Sequence, residues 1–323
     1  MKAFAATEYG APSLMSVLDL PAPQAGRGQI QVRIAAASIN PTDLLVVAGA
    51  YASMIPVAFP YIPGNEFAGT VTQVGEDVTG YRVGDEVFGS AIPGPLAMMA
   101  DPARPSISTG SLAEFAVFEA DTPLITHRPD RVPVAQAAAL PIAGATAYTV
   151  ANTADLQAGE TALVIGATGG VGTAALPMLA RTGGHLTVSS RQPKAAETLR
   201  DLGASDIVAD PAKYPDGVDV IVNLALQSDA LRDAVRHLRP GGRIVDIIWP
   251  GTSAHDLDRP DTTYTYVRDM DAHPNGMSDV ARLAASGKLT MTIAAEYALT
   301  DAVAGMERFA RRGAIGKVVI TMS

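Results

Sequence analysis

The chain has 323 residues, 48% of them hydrophobic and 18% charged, so it holds enough apolar material for about two domains of ordinary size and is not intrinsically disordered. Lys and Arg total 24 against 33 Asp and Glu, a formal charge of −9 with no basic run, which argues against nucleic acid or an anionic membrane as partner. Cysteine is absent, which removes disulfides, thiolate metal ligands and a thiol nucleophile together.

The first ten residues carry Lys2 and Glu8 and no apolar run of signal-peptide length, so the expected location is the cytoplasm. The first third reads as short strands between glycine turns. Residues 30–36 alternate, residues 67–74 are rich in β-branched side chains, and Gly75, Gly80, Gly84 and Gly89 punctuate. Residues 91–109 hold four prolines and an apolar stripe of Ile92, Leu96, Met98 and Met99, too long for a plain connection. They are expected to line a substrate entrance beside Tyr51 and to favour a bulky apolar substrate. Residues 132–154 contain no charge over a length that could cross a bilayer, but Gln136, Pro141 and Gly144 interrupt a run dominated by Ala and Thr. A buried helix pair is the better reading.

From Thr161 the texture changes to apolar strands alternating with helices. Strands are predicted at 161–165, 185–189, 207–209, 218–222 and 243–248, and helices at 170–181 and 229–238. That alternation predicts a doubly wound parallel sheet. An irregular region follows Trp249, then a helix over 278–286 and a last strand over 317–321.

The segment Thr161-Ala-Leu-Val-Ile-Gly-Ala-Thr-Gly-Gly-Val-Gly172 runs from strand through glycines 166, 169 and 172 into a helix. Gly166 allows the tight turn, Gly169 lets backbone N–H groups approach a pyrophosphate, and Gly172 lets the helix lie close on the sheet. A dinucleotide is the expected ligand. The next strand ends Val188-Ser-Ser-Arg-Gln-Pro-Lys194, with hydroxyls and cations where an NAD binder places an acid. Ser189, Ser190, Arg191 and Lys194 therefore point to the 2′-phosphate of NADP(H).

Further motifs span the chain: Ser-Ile-Asn-Pro-Thr-Asp at 38–43, Gly-Ala-Tyr at 49–51, Ile-Pro-Gly-Asn-Glu-Phe-Ala-Gly at 62–69, Val-Gly-Asp-Glu-Val-Phe-Gly at 83–89 and Gly-Ser-Leu-Ala-Glu at 110–114. Ala-Ala-Ala-Leu-Pro at 137–141, Thr-Ala-Tyr at 146–148, Arg-Pro-Gly-Gly at 239–242 and Gly-Lys-Val-Val at 316–319 complete the set. In combination they resemble the medium-chain dehydrogenase/reductases of the zinc-independent, zeta-crystallin-like quinone oxidoreductase type. The resemblance implies an α/β protein with a GroES-like, mostly-β catalytic domain from residues 1–122 and 264–323. A Rossmann NADP(H)-binding domain with a doubly wound parallel sheet would occupy 123–263. A homodimer is also implied, with residues 243–248 near the sheet edge that pairs.

Where zinc-dependent relatives place metal ligands, this chain has Asn40, Asn65 and a cysteine-free stretch near Ile142, and its five histidines have no ligand spacing. No metal is expected. Without a Lewis acid, reduction of a conjugated system is easier than reduction of an isolated ketone, because the new charge spreads into an enolate or hydroquinone. Asn40, Thr42 and Tyr51 are the candidate donors, with Asp43 fixing the loop. Tyr51 matches a proton-donating tyrosine of the related 2-enoyl thioester reductases. Cofactor contacts are expected from Thr146, Gly166, Thr168, Gly169, Gly170, Val171, Gly172, Ser189, Ser190, Arg191, Lys194, Asn223 and Trp249.

The expected activity is NADPH-dependent hydride transfer to a small apolar quinone or α,β-unsaturated carbonyl compound. A 2-enoyl thioester reductase acting on acyl-CoA or acyl-carrier protein and a non-catalytic NADPH-binding redox sensor are the alternatives. The chain departs from its relatives in lacking a tyrosine in the run 203–210, in carrying Asp210 there, and in placing bulky Leu226, Ile248 and Trp249 at strand ends. The last three are expected to reshape the nicotinamide end.

Overall fold

A computed structural model describes residues 1–53, 57–91, 110–267, 276–311 and 313–322. Residues 92–109, which were expected to line the substrate entrance, lie outside the described residues. The chain forms two compact units. One comprises Met1–Ile142, Asn275–Gly287 and Ile293–Ser323, the other Ala143–Pro274 and Lys288–Thr292.

The first unit begins with β1 (Lys2–Ala5) and β2 (Ser16–Asp19), an antiparallel pair. Then come β3 (Gln29–Ser38), α1 (Pro41–Val47), β4 (Glu66–Val74), β5 (Glu86–Ser90), β6 (Phe115–Glu119), β7 (Ile125–His127) and α2 (Val134–Ala139). The second unit carries α3 (Ala145–Ala154), β8 (Thr161–Ile165), α4 (Gly170–Ala180), β9 (His185–Ser189), α5 (Ala196–Asp201), β10 (Asp206–Val208), β11 (Val218–Asn223), α6 (Ser228–Ala234), β12 (Leu238–Asp246) and β13 (Thr263–Tyr266). The chain then closes the first unit with α7 (Met277–Ala285), β14 (Ile293–Ala298), α8 (Ala302–Ala310) and β15 (Lys317–Thr321).

In the first unit the sheet order is β14-β15-β3-β4-β5-β7, with β6 also on β3. β3 is its organising strand. Ile30, Val32 and Ile34 point inward from alternate positions while Arg33 and Ala35 are exposed, the two-residue period of a half-buried strand. Phe67 of β4 stacks on Phe118 of β6 with centroids 4.1 Å apart, and Phe4, Phe88 and Leu112 are fully buried. Each such side chain contributes about 1.5–3 kcal/mol.

The second unit is a six-stranded parallel sheet of order β10-β9-β8-β11-β12-β13, the doubly wound order whose direction reverses between β8 and β11. Its central strands are buried on both faces through Leu163, Val164, Ile221, Val222, Ile244 and Val245, which explains their unbroken apolar runs.

The units divide at 142/143 and 274/275, later than the expected 122/123 and 263/264. β7 pairs with β5 and so stays in the first unit, and β13 pairs with β12 as a sixth parallel strand. Two strand limits also differ from expectation. β12 starts at Leu238, because residues 239–242 form an irregularity rather than a turn before the strand. It ends at Asp246, whose carboxylate accepts the Ile248 N–H at 2.9 Å and turns the chain out. Residues 243–248 therefore do not border the sheet, and β13 does. The expected helix over 229–238 stops at Ala234, followed by a 3-10 turn, Val235–His237.

The uncharged run appears as α2, a π-helical turn at Leu140–Gly144 around Pro141, and α3. By length and composition Val134–Ala154 could cross a membrane, but 61% of the apolar window is buried inside the fold.

Candidate active site

The glycine loop separates glycines that the chain itself requires from one that it does not. Gly166 has φ +90°, and a Cβ there would lie 2.9 Å from the Ala225 Cβ and 3.0 Å from the Leu224 backbone. A Cβ on Gly172 would sit 2.6 Å from both the Ala167 Cα and the Gly166 carbonyl oxygen. Gly169 has an ordinary φ of −74°, and its Cβ would meet nothing nearer than the Gly166 oxygen at 3.5 Å. No protein atom demands glycine at 169. A pyrophosphate lying against the backbone would, because it would occupy the space a side chain takes.

Gly169 is also the N-cap of α4, which has no side-chain cap and no acidic residue in its first turn. The Thr173 hydroxyl is turned back onto the Gly169 carbonyl at 3.0 Å. The first-turn amides of Gly170, Val171 and Gly172 thus have no side-chain cap, with the helix dipole behind them. Thr168 is half-buried beside them, and Thr146 is buried in α3.

At the end of β9 the Ser189 hydroxyl bonds the Tyr214 hydroxyl at 2.7 Å, and the Ser190 hydroxyl accepts the Gln192 N–H. Tyr214 is almost wholly buried and escaped sequence reasoning, which looked for a tyrosine within 203–210; its place after the Asp210-Pro211 turn was the available signal. Asp210 accepts the Ala212 N–H and caps a 3-10 turn. Arg191 and Lys194 are exposed and pair with no carboxylate among the described residues.

At the ends of β11 and β12 lies a buried network that the sequence did not announce. Asn223 Nδ2 donates to Asp246 Oδ1 and to the Leu226 carbonyl, both at 2.8 Å, while its Oδ1 accepts the N–H groups of Ala225 and Leu226. Both of its donors and both of its acceptor positions are thus spent on the loop, and none is left for a ligand. Tyr264 donates to Asp246 Oδ2 at 2.8 Å and accepts from the Thr252 N–H. Burial raises the Asp246 carboxyl above its ordinary range, and burial with that carboxylate raises the Tyr264 phenol. The network holds the loop 247–252, on which Trp249 is 60% exposed.

The first unit gathers charge in its interior. Lys317 Nζ donates to Glu66 Oε1 at 2.8 Å, to Asn40 Oδ1 at 2.7 Å and to the Ile39 carbonyl at 2.9 Å. Glu66 Oε1 also receives Asn40 Nδ2 and the Ser38 hydroxyl, and its Oε2 receives the Ile142 N–H of the π turn. Asn40 is 4% exposed and its amide is engaged at both ends, so it locks the cluster. Asp43 is likewise buried; its carboxylate accepts the Asn40 N–H at 2.8 Å and the Gly64 N–H at 2.9 Å, tying the start of α1 to the segment before β4. Burial pushes the Asp43 carboxyl up to about 7 against the pull of those bonds and of Lys317.

Thr42 and Tyr51 are half-buried, and burial raises the Tyr51 phenol. Asn65 is 2% exposed, and its side chain makes no hydrogen bond among the described residues. His127, His185 and His237 each meet a single aspartate, Asp85, Asp206 and Asp216. Among the described residues no group of three His, Asp or Glu side chains is placed to share a metal ion, and the places expected to hold ligands carry amides. The amides of Asn40 and Asn65, the described residues at those places, are not a zinc ligand set.

Residues 26–129 match the alcohol dehydrogenase GroES-like domain, and residues 194–320 match the family model named zinc-binding dehydrogenase. The chain is 32% identical over 257 residues to 2-methylene-furan-3-one reductase of Solanum lycopersicum, covering 76% of this chain and 61% of that protein. It spans only 14% of a much longer polyketide synthase that also matches. Quinone-oxidoreductase QR1 of Triphysaria versicolor is 28% identical over 337 residues, covering 96% of this chain and 94% of its own. The quinone oxidoreductase structure from Coxiella burnetii superposes with a TM-score of 0.83 at 23% identity, covering 100% of this chain and 99% of the other.

The chain belongs to the medium-chain dehydrogenase/reductase superfamily, with a GroES-like domain and a Rossmann-type parallel sheet. The chain spans less than two thirds of the length of the first curated relatives that it matches; dehydrogenases of that superfamily bind a nicotinamide cofactor.

Proposed function

We propose that the protein is a zinc-independent, NADPH-dependent reductase of α,β-unsaturated carbonyl compounds and quinones. The observation that carries this reading is the pair of cations without counter-charge, Arg191 and Lys194, beside Ser189 and Ser190 at the end of β9. Cations near a helix start are unfavourable alone and become favourable with a phosphate among them. The loop 166–172 would carry the pyrophosphate, Thr146 and the loop bearing Trp249 would border the nicotinamide, and Asn223 would act by holding the adjoining turn. The tomato relative supports a conjugated carbonyl as acceptor.

A bound nicotinamide supplies two electrons as a hydride. The β-carbon of the enone accepts it, the C=C electron pair moves toward the carbonyl oxygen to give an enolate, and the α-carbon takes up a proton. Tyr51 and Thr42 are the hydroxyls available to deliver that proton, and the raised Tyr51 phenol keeps its proton at neutral pH. Asn40 and Asp43 serve as positioning residues.

The test is NADPH consumption with a panel of cyclic enones, quinones and 2-enoyl-CoA thioesters after dialysis against a strong chelator. Turnover of enones or quinones, undiminished by the chelator, is expected. Turnover of thioesters alone would make the protein an enoyl thioester reductase, and NADPH binding without turnover would make it a sensor. A homodimer is expected through the exposed edge of β13, and a solution mass of 33.3 kDa would contradict it.

A further inference from the structure

We propose that the Asn65 side-chain amide donates a hydrogen bond to the carbonyl oxygen of the substrate and holds the enolate oxygen formed on reduction. This rests on the reductase reading above. Asn65 is 2% exposed, and among the described residues its amide has no partner. Its surroundings are otherwise saturated. Gly64 before it donates to Asp43, and Glu66 after it takes four donors on its two oxygens: the Ser38 hydroxyl, the Asn40 amide, the Ile142 N–H and Lys317.

The Asn65 backbone is held as firmly. Its carbonyl accepts the Ala91 N–H at 2.7 Å and the Ser90 hydroxyl at 3.4 Å. A side-chain amide on so fixed a backbone, buried and unpaired, is costly unless something outside the chain completes it. The Tyr61 hydroxyl is also unpaired, but it packs in the apolar core, whereas Asn65 sits between Gly64 and Glu66, beside the buried polar cluster. Asn40 cannot take the same duty, because Lys317 and Glu66 hold its amide at both ends.

An amide N–H is a suitable partner for an oxygen that gains negative charge. It is neutral and does not titrate, and its fixed position requires no rearrangement as charge develops. Thr42 precedes Asp43 and Asn65 follows Gly64, so the Asp43–Gly64 bond ties together the chain segments that carry the two residues.

The test is Asn65→Asp, which keeps the shape and removes the donor when ionised, with Asn65→Ala and Asn65→Ser beside it. Above neutral pH, Asn65→Asp is expected to lower kcat/KM for a cyclic enone by about 100- to 1,000-fold with NADPH affinity and melting temperature unchanged. Activity should recover as the pH falls and the acid regains its proton, a limb that the wild type lacks. Asn65→Ala should show the loss without the recovery, and Asn65→Ser, which keeps a donor and is the fallback if the aspartate does not fold, a smaller one. Folded, NADPH-binding Asp or Ala variants with wild-type kcat/KM would overturn the proposal. A wild-type enzyme that binds NADPH and reduces no enone or quinone would instead overturn the reductase reading on which it depends.

Discussion

The two polar regions of this molecule are opposites. Around Glu66 and Lys317 in the first unit, the charges are buried and the donors and acceptors answer one another across β3, β4, β15 and the π turn. At the mouth of the glycine loop in the second unit, helix α4 has no side-chain cap, a side chain on Gly169 would make only an ordinary contact with the Gly166 oxygen, and Arg191 and Lys194 have no counter-charge among the described residues. A closed set of polar groups holds a fold together, and an open set waits for a ligand. Loss of a group should therefore be read in stability for the first region and in binding for the second.

The largest effect belongs to the closed region. Lys317→Met leaves the Glu66 carboxylate buried without its cation and should destabilise the first unit by about 3–5 kcal/mol. Replacing both partners, Lys317→Met with Glu66→Leu, should cost less than the two single losses added together. Thermal unfolding of the three variants checks this, and strict additivity would mean that the pair is not coupled.

Next comes Arg191→Ala. It should weaken NADPH binding by about 1.5–3 kcal/mol, leaving NADH affinity and melting temperature unchanged. Equal losses for the two cofactors, measured by calorimetric titration, would remove the 2′-phosphate assignment. Gly169→Ala should leave stability intact while weakening either cofactor by about tenfold, roughly 1.4 kcal/mol, because the methyl group enters only the ligand's space. Gly172→Ala serves as the contrast: its methyl group meets backbone, so it should lower the melting temperature as well.

How far each region could be read from the sequence follows from the same contrast. The glycine loop is local: strand, glycines 166, 169 and 172, and helix follow one another within 161–180, so chain order alone shows the ligand site. The closed cluster joins distant parts of the chain, Lys317 and Asn40 being 277 positions apart, and nothing in a Gly-Lys-Val-Val run says that Lys317 will meet Asn40 and Glu66. Asn40 was readable as a donor to substrate, yet its amide is consumed by those two partners. Asn223 was readable as a cofactor contact, yet its side chain spans Leu226 and Asp246. β13 escaped because Thr263-Tyr-Thr-Tyr266, although it alternates with the period of a strand, is only four residues long inside an irregular stretch; it pairs with β12 as the sheet's last strand.

A different kind of effect is a dependence on pH. Asp43 titrates near 3.8 when unperturbed and at about 7 in the fold, so between those values the folded chain keeps a proton that the unfolded chain has released. Its contribution to stability is complete below the lower value and is lost as the pH rises through about 7. Asp43→Asn should flatten that part of the stability profile, and an unchanged slope would show that other groups produce it.

The central claim is that hydride reaches the β-carbon of a conjugated carbonyl compound. The most direct measurement is reduction of a cyclic enone by NADPH carrying deuterium at the transferred position, with the product examined by NMR. The account predicts a saturated ketone with deuterium at the β-carbon and a solvent proton at the α-carbon. An allylic alcohol with deuterium at the former carbonyl carbon would contradict it.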